Sequence, residues 1–252
     1  MQLDDRVDLV VYPGLDELSQ ASLEFFCDCA ADAIKEKGVF FAAISGGTTP
    51  GRFFELLSVS ELSRSLQWEK IHLFWVDERY VSAESEMSNY KLASDTFLSK
   101  LDIPEKNVHR IQTEYEDIEI AEQIYEAELR ESFNLTGDQV PVFDIIVLGM
   151  GADGHTASLL PGSFATFDES SMVSIIYVMD DKQSRITLTP RVLKNAAKLL
   201  VLVNGREKAQ TLKEVLTIEP DEVRYPIHIL WPALKKMKWL ADEQAAEKIN
   251  TG

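Results

Sequence analysis

The sequence predicts an α/β fold, a doubly wound and mostly parallel sheet with helices on both faces, of the Rossmann-like type. Short continuous apolar runs, typical of strands buried on both faces, alternate along the chain with segments of helical apolar spacing. That alternation favours a parallel sheet. The chain has no internal repeat, low-complexity tract or Pro/Ser-rich linker, and 252 residues suit one large α/β domain. We therefore expect a single domain over residues 1–252.

The individual elements follow from the change of apolar period along the chain. Helical spacing over residues 15–36 ends at Gly38, which suits a helix C-cap. A helix beginning near Pro50 follows a Gly-Gly turn, and residues 117–133 form an acidic amphipathic helix. Two later helices are expected near 190–197 and 205–216. The expected strands are 39–44, 71–76, 145–148, 173–178, 186–188, 199–203 and 227–230.

Composition limits the partners and the compartment. A formal net charge of −17 disfavours nucleic acid and anionic membrane surfaces, because Lys and Arg hold their phosphates. Residues 1–11 carry three acids and no long apolar core, so we expect no signal peptide, and no apolar run has the length of a membrane span. Cys27 and Cys29 are expected to pack in a helix as reduced thiols. We expect a cytoplasmic protein, monomeric or weakly homo-oligomeric.

The pattern of ligating residues predicts no metal site. The sequence has no H-E-x-x-H motif, no Cys/His cluster and no set of acids at metal-ligand spacing. We therefore expect a function that uses no metal or other cofactor. Hydrophobic residues make up 45% of the chain and support a sizeable core, so an anionic ligand would need a local basic pocket in an acidic protein.

The first loop with ligand-binding character is Ser45-Gly46-Gly47-Thr48-Thr49-Pro50, between a predicted strand and a predicted helix. In doubly wound sheets ligands bind at the carboxyl ends of strands. Glycines expose backbone N–H groups, hydroxyls add donors and proline suits a first helical turn, which together make an anion site at a helix N-terminus. An ordinary strand-to-helix turn is the alternative, and phosphate binding is favoured over it. The G-K-[ST] ending of a Walker loop is absent.

The second loop, Asp77-Glu78-Arg79, directly follows the apolar residues 74–76, and Ser88-Asn89-Tyr90 comes shortly after it. Charged residues at the end of an apolar strand are often only surface residues, and that is the alternative here. Because two other strand-end loops also carry ligand-binding residue types, we expect this loop to face the same cavity.

The third loop spans residues 149–155 and follows the central predicted strand. Its glycines, Gly151 and Gly154 among them, tolerate positive φ and allow close approach of a ligand. His155 is suited to proton transfer near neutral pH. A lone histidine is more often structural, but this one lies in a glycine-flanked turn next to Asp153. We therefore expect it to act as a base.

The same loop matches the dinucleotide fingerprint G-x-G-x-x-G, which is the alternative interpretation. That fingerprint needs a helix of several turns after the third glycine and an acid about 20 residues further on. Here Pro161-Gly162 leaves barely two helical turns, and the candidate acids Asp180 and Asp181 come later than that spacing. The loop therefore favours a small ligand over a dinucleotide.

Two later basic residues suit an anion site. Arg185 precedes the strand at 186–188, and Lys208 lies at the start of a predicted helix after Asn204-Gly205. A cation at a helix N-terminus opposes the helix dipole, so Lys208 gains no stability there unless an anion binds nearby. Solvent exposure of both side chains is the alternative.

Together these motifs resemble the 6-phosphogluconolactonase family and, within the same wider fold, the glucosamine-6-phosphate isomerases. The resemblance covers about residues 10–235 and rests on the segments 45–50, 75–79, 88–90, 148–162 and 185–189. The segment 154–159, Gly-His-Thr-Ala-Ser-Leu, is similar to the lactonases, whereas the isomerases place Ile-Ala-Phe-Asn-Glu-Pro after the same Gly-His. The isomerases also tend to have Asp-Glu-Tyr at residues 77–79. Two departures from the family pattern are Leu160 in place of Phe and the absence of prolines at 181–184.

The resemblance implies the lactonase type of α/β fold and hydrolysis of 6-phospho-D-glucono-1,5-lactone to 6-phosphogluconate, a step of the oxidative pentose phosphate pathway. Its partner molecule would be this phosphorylated lactone. His155 would be the base that activates water, oriented by Asp153 or Asp77, between which the sequence does not decide. Backbone N–H groups of the glycine turn, with Arg79, would stabilise the developing oxyanion by hydrogen bonding. The residues expected to bind the substrate are Ser45, Gly46, Gly47, Thr48, Arg79, Gly151, Gly154, Arg185 and Lys208.

Two other functions stay open at the level of sequence. An isomerase or deaminase acting on glucosamine 6-phosphate would share the phosphate site, but Thr156-Ala157-Ser158 and Arg79 disfavour it. A non-catalytic sugar-phosphate sensor is the second, and it is disfavoured because such modules usually carry a basic DNA-binding segment, which this chain lacks.

Overall fold

A computed structural model describes residues 6–178 and 183–249, so that Asp180 and Asp181, considered above as ribose-binding acids, lie outside the described residues. Within these ranges the chain forms ten strands and eight α-helices. The strands are β1 Asp8–Tyr12, β2 Phe40–Ile44, β3 Ile71–Trp75, β4 Asp77–Arg79, β5 Val108–His109, β6 Ile145–Gly149, β7 Val173–Ile176, β8 Arg185–Leu188, β9 Leu199–Val203 and β10 Met237–Asp242. The helices are α1 Leu15–Lys37, α2 Thr48–Val59, α3 Glu61–Arg64, α4 Asn89–Thr96, α5 Ile118–Ser132, α6 Pro190–Asn195, α7 Ala209–Thr217 and α8 Glu243–Ala246.

The main sheet is parallel throughout its described strands, in the order β1-β10-β9-β6-β2-β3-β5. From β2 the chain moves outward through β3 to β5, and from β6 it moves outward the other way through β9 to β10. Because parallel crossovers are right-handed, α1, α2 and α4 cover one face, and α5, α6 and α7 cover the other. The predicted doubly wound α/β fold is confirmed. The order reverses between β2 and β6, which is where such folds bind ligands.

A small antiparallel sheet, β4-β8-β7, lies beside the end of β3. Here the sequence prediction is corrected, because residues 77–79 were expected to form a loop and instead form β4. Val76 links the two sheets, since its N–H donates to Ile44 O (2.9 Å) and its carbonyl accepts from Leu188 N (2.8 Å). The register pairs Asp77 with Thr187 and Arg79 with Arg185. The small sheet therefore brings two arginines side by side at the end of the main sheet.

The strand expected at 227–230 is wrong. These residues lie in a 3₁₀ segment, Pro226–Lys236, that begins with one proline and contains a second, Pro232. Proline has no backbone N–H to donate to a sheet, and a short buried apolar run has the same sequence pattern in a strand and in a buried helix. The sequence analysis also missed β1 and β10, which form one edge of the main sheet and its inner neighbour.

The helix expected over residues 15–36 is α1, and Gly38 caps it with φ 82°. Cys27 and Cys29 are buried on this helix as free thiols, as predicted. Among the residues that the structure describes, no helix combines the length and the apolar character needed to cross a membrane.

A tyrosine hydroxyl completes the hydrogen bonding of β3. Its outer neighbour β5 has two residues, which pair with Leu73 and Phe74 and leave Trp75 without a strand partner on that side. Tyr125 on α5 takes this place, because its hydroxyl accepts from Trp75 N (3.0 Å) and donates to Trp75 O (2.6 Å). Tyr125 is 1% exposed, so neither backbone group has water as an alternative.

We predict that Tyr125→Phe lowers the free energy of unfolding by about 1–3 kcal/mol, because it leaves a buried N–H and a buried C=O unpaired. Urea denaturation would show this as a lower midpoint at unchanged slope. The matched control is Tyr177→Phe, because Tyr177 is 65% exposed and its change should stay within about 0.5 kcal/mol. Equal midpoints for Tyr125→Phe and the wild type would contradict the role of this hydroxyl.

Candidate active site

A cavity opens at the switch point of the main sheet, where the carboxyl ends of β2 and β6 meet. All three sequence-predicted loops and both later basic residues contribute to its wall. The lining residues are Ser45, Gly46, Gly47, Thr48, Thr49, Pro50, Asp77, Arg79, Asn89, Gly149, Met150, Gly151, His155, Ala157, Arg185 and Lys208. Among residues 6–178 and 183–249, no cluster of three or more His, Cys, Asp or Glu side chains is arranged to hold a metal ion.

The first loop turns from β2 into α2 with its polar groups toward the cavity. Gly47 is the N-cap of α2 and has φ 106°, a conformation that favours glycine. A Cβ on Gly46 would lie 1.9 Å from Asn89 Oδ1, so glycine is required for the loop to approach that side chain. Ser45 is 5% exposed, and its hydroxyl has no hydrogen-bond partner within the described residues. A helix N-terminus and an unsatisfied hydroxyl both suit an anionic ligand.

His155 is held by the neighbouring carboxylate. Its Nδ1 lies 2.6 Å from Asp153 Oδ1, and its backbone N–H donates to the same oxygen (3.1 Å). With a carboxylate as acceptor, Nδ1 carries the proton, and Nε2 is left as the basic nitrogen. The hydrogen bond from His155 lowers the pKa of Asp153. A Cβ on Gly151 would lie 2.2 Å from His155 Nδ1, so this glycine leaves the room that the ring occupies.

Of the two carboxylates that the sequence left open as partners of His155, Asp153 is the one that contacts the imidazole. Asp77 lines the cavity, but its Oδ2 accepts from Ser158 Oγ (2.6 Å) and its carbonyl accepts from Asn89 Nδ2 (2.9 Å). It is 5% exposed. Its carboxylate is therefore engaged with the loop wall, and no described hydrogen bond joins it to the imidazole.

The segment around His155 is a turn and not the helix that a dinucleotide fingerprint requires. Gly154 has φ 78° and Ala157 has φ 52°, and this chain reversal replaces a helix after the third glycine. The N–H groups of Gly151 and Gly154 donate within the turn, to His155 O (2.9 Å) and Gly151 O (3.0 Å). Gly154 is also buried against Tyr225, where a Cβ would lie 2.5 Å from the ring. Gly154 is not among the residues that line the cavity, and its contact with a ligand stays a prediction.

Glu78 is a structural residue that the sequence analysis did not distinguish from its neighbours. It is 2% exposed, and its two oxygens accept from the N–H groups of Arg79, Asn89 and Tyr90 and from Ser88 Oγ. Burial raises the pKa of Glu78, while these hydrogen bonds act in the opposite direction. Glu78 thus joins β4 to the first turn of α4 and places Asn89 against the first loop.

Three cations face the cavity without an ion pair to any carboxylate among the described residues. Arg79 donates to Met87 O (2.8 Å), Arg185 donates to Ser158 Oγ (3.4 Å), and Nε of both arginines is buried without a partner. Burial lowers the pKa of Lys208 and of Arg185. Desolvated charges without a partner are costly, so an anion bound here would be strongly stabilised.

Comparison with known proteins agrees with this geometry. The family model described as glucosamine-6-phosphate isomerases/6-phosphogluconolactonase matches residues 13–239. A 6-phosphogluconolactonase of Synechocystis sp. is 39% identical over 217 residues, which cover 86% of this chain and 88% of that protein. A 6-phosphogluconolactonase of Nostoc sp. is 32% identical over 240 residues, covering 95% and 97%. The structure of 6-phosphogluconolactonase from Trypanosoma cruzi superposes with a TM-score of 0.86 at 26% identity, covering 99% and 98%. The chain belongs to the glucosamine-6-phosphate isomerase/6-phosphogluconolactonase family.

Proposed function

We propose that the protein hydrolyses 6-phospho-D-glucono-1,5-lactone to 6-phosphogluconate in the oxidative pentose phosphate pathway, the activity for which its relatives are named. One observation supports this most directly. An imidazole with a free Nε2 faces the same cavity as cations that have no carboxylate partner among the described residues. Ester hydrolysis needs a base for water, and a phosphorylated substrate needs positive charge away from the reacting bond.

In the proposed reaction, Nε2 of His155 removes a proton from a water molecule, and the water oxygen bonds to the lactone carbonyl carbon. The tetrahedral intermediate then breaks its bond between that carbon and the ring oxygen. The ring oxygen takes the proton from His155 and becomes a hydroxyl, while the carboxylic acid ionises to its carboxylate. Asp153 stabilises the imidazolium that exists between the two proton transfers.

The developing oxyanion and the substrate phosphate need separate positive groups. The N–H groups of Gly151 and Gly154 already donate hydrogen bonds within the turn. We therefore assign stabilisation of the oxyanion to the guanidinium of Arg79. We assign the phosphate to the Ser45–Thr48 loop at the N-terminus of α2, with Lys208 and Arg185. The unpartnered Ser45 hydroxyl and Arg185 Nε support this assignment.

The test is a coupled assay in which 6-phosphogluconolactone is generated in situ and 6-phosphogluconate is followed through its dehydrogenase. The rate without protein is subtracted, because the lactone opens spontaneously. EDTA tests the expectation that no metal is needed. Glucosamine 6-phosphate, with ammonia as the product, is the control substrate. Acceleration above the spontaneous rate is expected with the lactone alone, and no acceleration would contradict the proposed function.

His155→Ala should lower kcat by about 100- to 10,000-fold, because the base for water is removed. KM should change little, since the phosphate contacts lie on other residues. The same coupled assay measures both constants, and urea denaturation checks that the variant is folded. A His155→Ala protein with near-wild-type kcat would contradict the assignment of the base.

Asp153→Asn should lower kcat by roughly 100-fold or more, because an amide neither holds Nδ1–H in the same way nor stabilises the imidazolium. The hydrogen bond from His155 lowers the pKa of Asp153, so this carboxylate is ionised down to more acidic pH than an ordinary aspartate. The same coupled assay measures kcat, and a kcat for Asp153→Asn close to that of the wild type would contradict this role of the carboxylate.

A further inference from the structure

Two opposite charges face the cavity from neighbouring strands without forming an ion pair. Asp77 on β4 pairs in register with Thr187 on β8, two residues from Arg185. Burial lowers the pKa of Arg185, and the charge of Asp77 raises it, so the carboxylate acts electrostatically on this guanidinium. Arginine and carboxylate groups at such proximity usually form bidentate pairs. Within the described residues, however, Arg185 has no carboxylate partner, and its Nε is buried without a hydrogen bond.

Ser158 lies between the two charges. Its hydroxyl donates to Asp77 Oδ2 (2.6 Å) and accepts from Arg185 Nη1 at 3.4 Å. The side chain is fully buried, and its backbone N–H donates to Thr187 Oγ1 (3.3 Å), which fixes the residue against β8. Ala157, the residue before it, has φ 52° and lines the cavity, whereas Ser158 is not among the lining residues.

We propose that Ser158 is a positioning residue that keeps Arg185 available for an anionic ligand by holding the Asp77 carboxylate in its own hydrogen bond. The chemical class of the ligand, a phosphorylated sugar lactone or sugar acid, rests on the proposed function. Ser158 does not reach the ligand itself, because it does not line the cavity. It acts through the two side chains that do.

Loss of the hydroxyl has a specific consequence. A buried carboxylate that loses its donor must find another, and the guanidinium of Arg185 is the adjacent donor. An Asp77–Arg185 ion pair would then neutralise the charge that the ligand requires, and binding would have to break that pair first. The hydrogen bond between His155 and Asp153 does not involve Ser158, Asp77 or Arg185. Loss of the Ser158 hydroxyl should therefore weaken ligand binding and leave the rate of the catalytic step nearly unchanged.

The test is titration calorimetry with 6-phosphogluconate, a ligand that needs no turnover. Ser158→Ala should raise its Kd about tenfold, equivalent to about 1.4 kcal/mol. Ser158→Cys, which keeps the size of the side chain but is a weak donor, should do the same. In the Asp77→Asn background there is no carboxylate to compete for Arg185, so Ser158→Ala should have little further effect. In the coupled assay, Ser158→Ala should raise KM and change kcat little.

A purely structural role would give a different result. Equal Kd values for the wild type and Ser158→Ala would overturn the proposal, and so would an equal loss of affinity from Ser158→Ala in the wild type and in the Asp77→Asn background. Urea denaturation of all variants separates loss of stability from loss of affinity. If the wild type binds 6-phosphogluconate but does not accelerate lactone opening, the proposed function fails and the Ser158 comparison still decides this proposal. Absence of binding by the wild type contradicts both.

Discussion

Positive charge without a carboxylate partner is the constraint on which the site depends. The protein has a net charge of −17, yet Arg79, Arg185 and Lys208 face one cavity with no ion pair among the described residues. Three nearby carboxylates are hydrogen-bonded to other groups. Asp77 accepts from Ser158, Asp153 accepts from His155, and Asp242 accepts from Asn204 Nδ2 and from the N–H groups of Gly205 and Ala245. An anionic ligand would supply the missing partner, and we therefore expect the site to favour anionic ligands.

The topology makes this arrangement possible. Reversal of strand order between β2 and β6 leaves room for the Ser45–Thr48 loop and the His155 turn at one edge of the main sheet. The small sheet then adds β4 and β8, whose register sets Arg79 beside Arg185. Glu78 joins this sheet to the N-terminal end of α4 through three hydrogen bonds, from Ser88 Oγ and from the N–H groups of Asn89 and Tyr90. His155, the Ser45–Thr48 loop and the two arginines thus come together from turns and strands at one edge of the main sheet.

Sequence reasoning named most of the residues that line the cavity, because glycine turns and charged residues after apolar strands have recognisable patterns. It could not decide between Asp153 and Asp77, since Asp77 is on a separate strand whose distance from His155 depends on the tertiary fold. It gave Gly154 a ligand contact, whereas the residue is buried against Tyr225, which lies far along the chain. It mistook residues 227–230 for a strand, because a short apolar run has no period of its own.

The most direct test of the site formed by these cations without carboxylate partners compares two substrates, 6-phosphogluconolactone and unphosphorylated gluconolactone. Their rates of hydrolysis are measured with the wild type, Lys208→Ala and Lys213→Ala. Lys208 lines the cavity, whereas Lys213 is exposed on α7 and serves as the control. We expect the wild type to prefer the phosphorylated lactone by about 100-fold or more in kcat/KM, as one or two charged contacts would give. Lys208→Ala should lose rate on the phosphorylated lactone alone, mainly through a higher KM. Equal kcat/KM for the two lactones, or an equal loss on both in Lys208→Ala, would contradict a phosphate site at these cations.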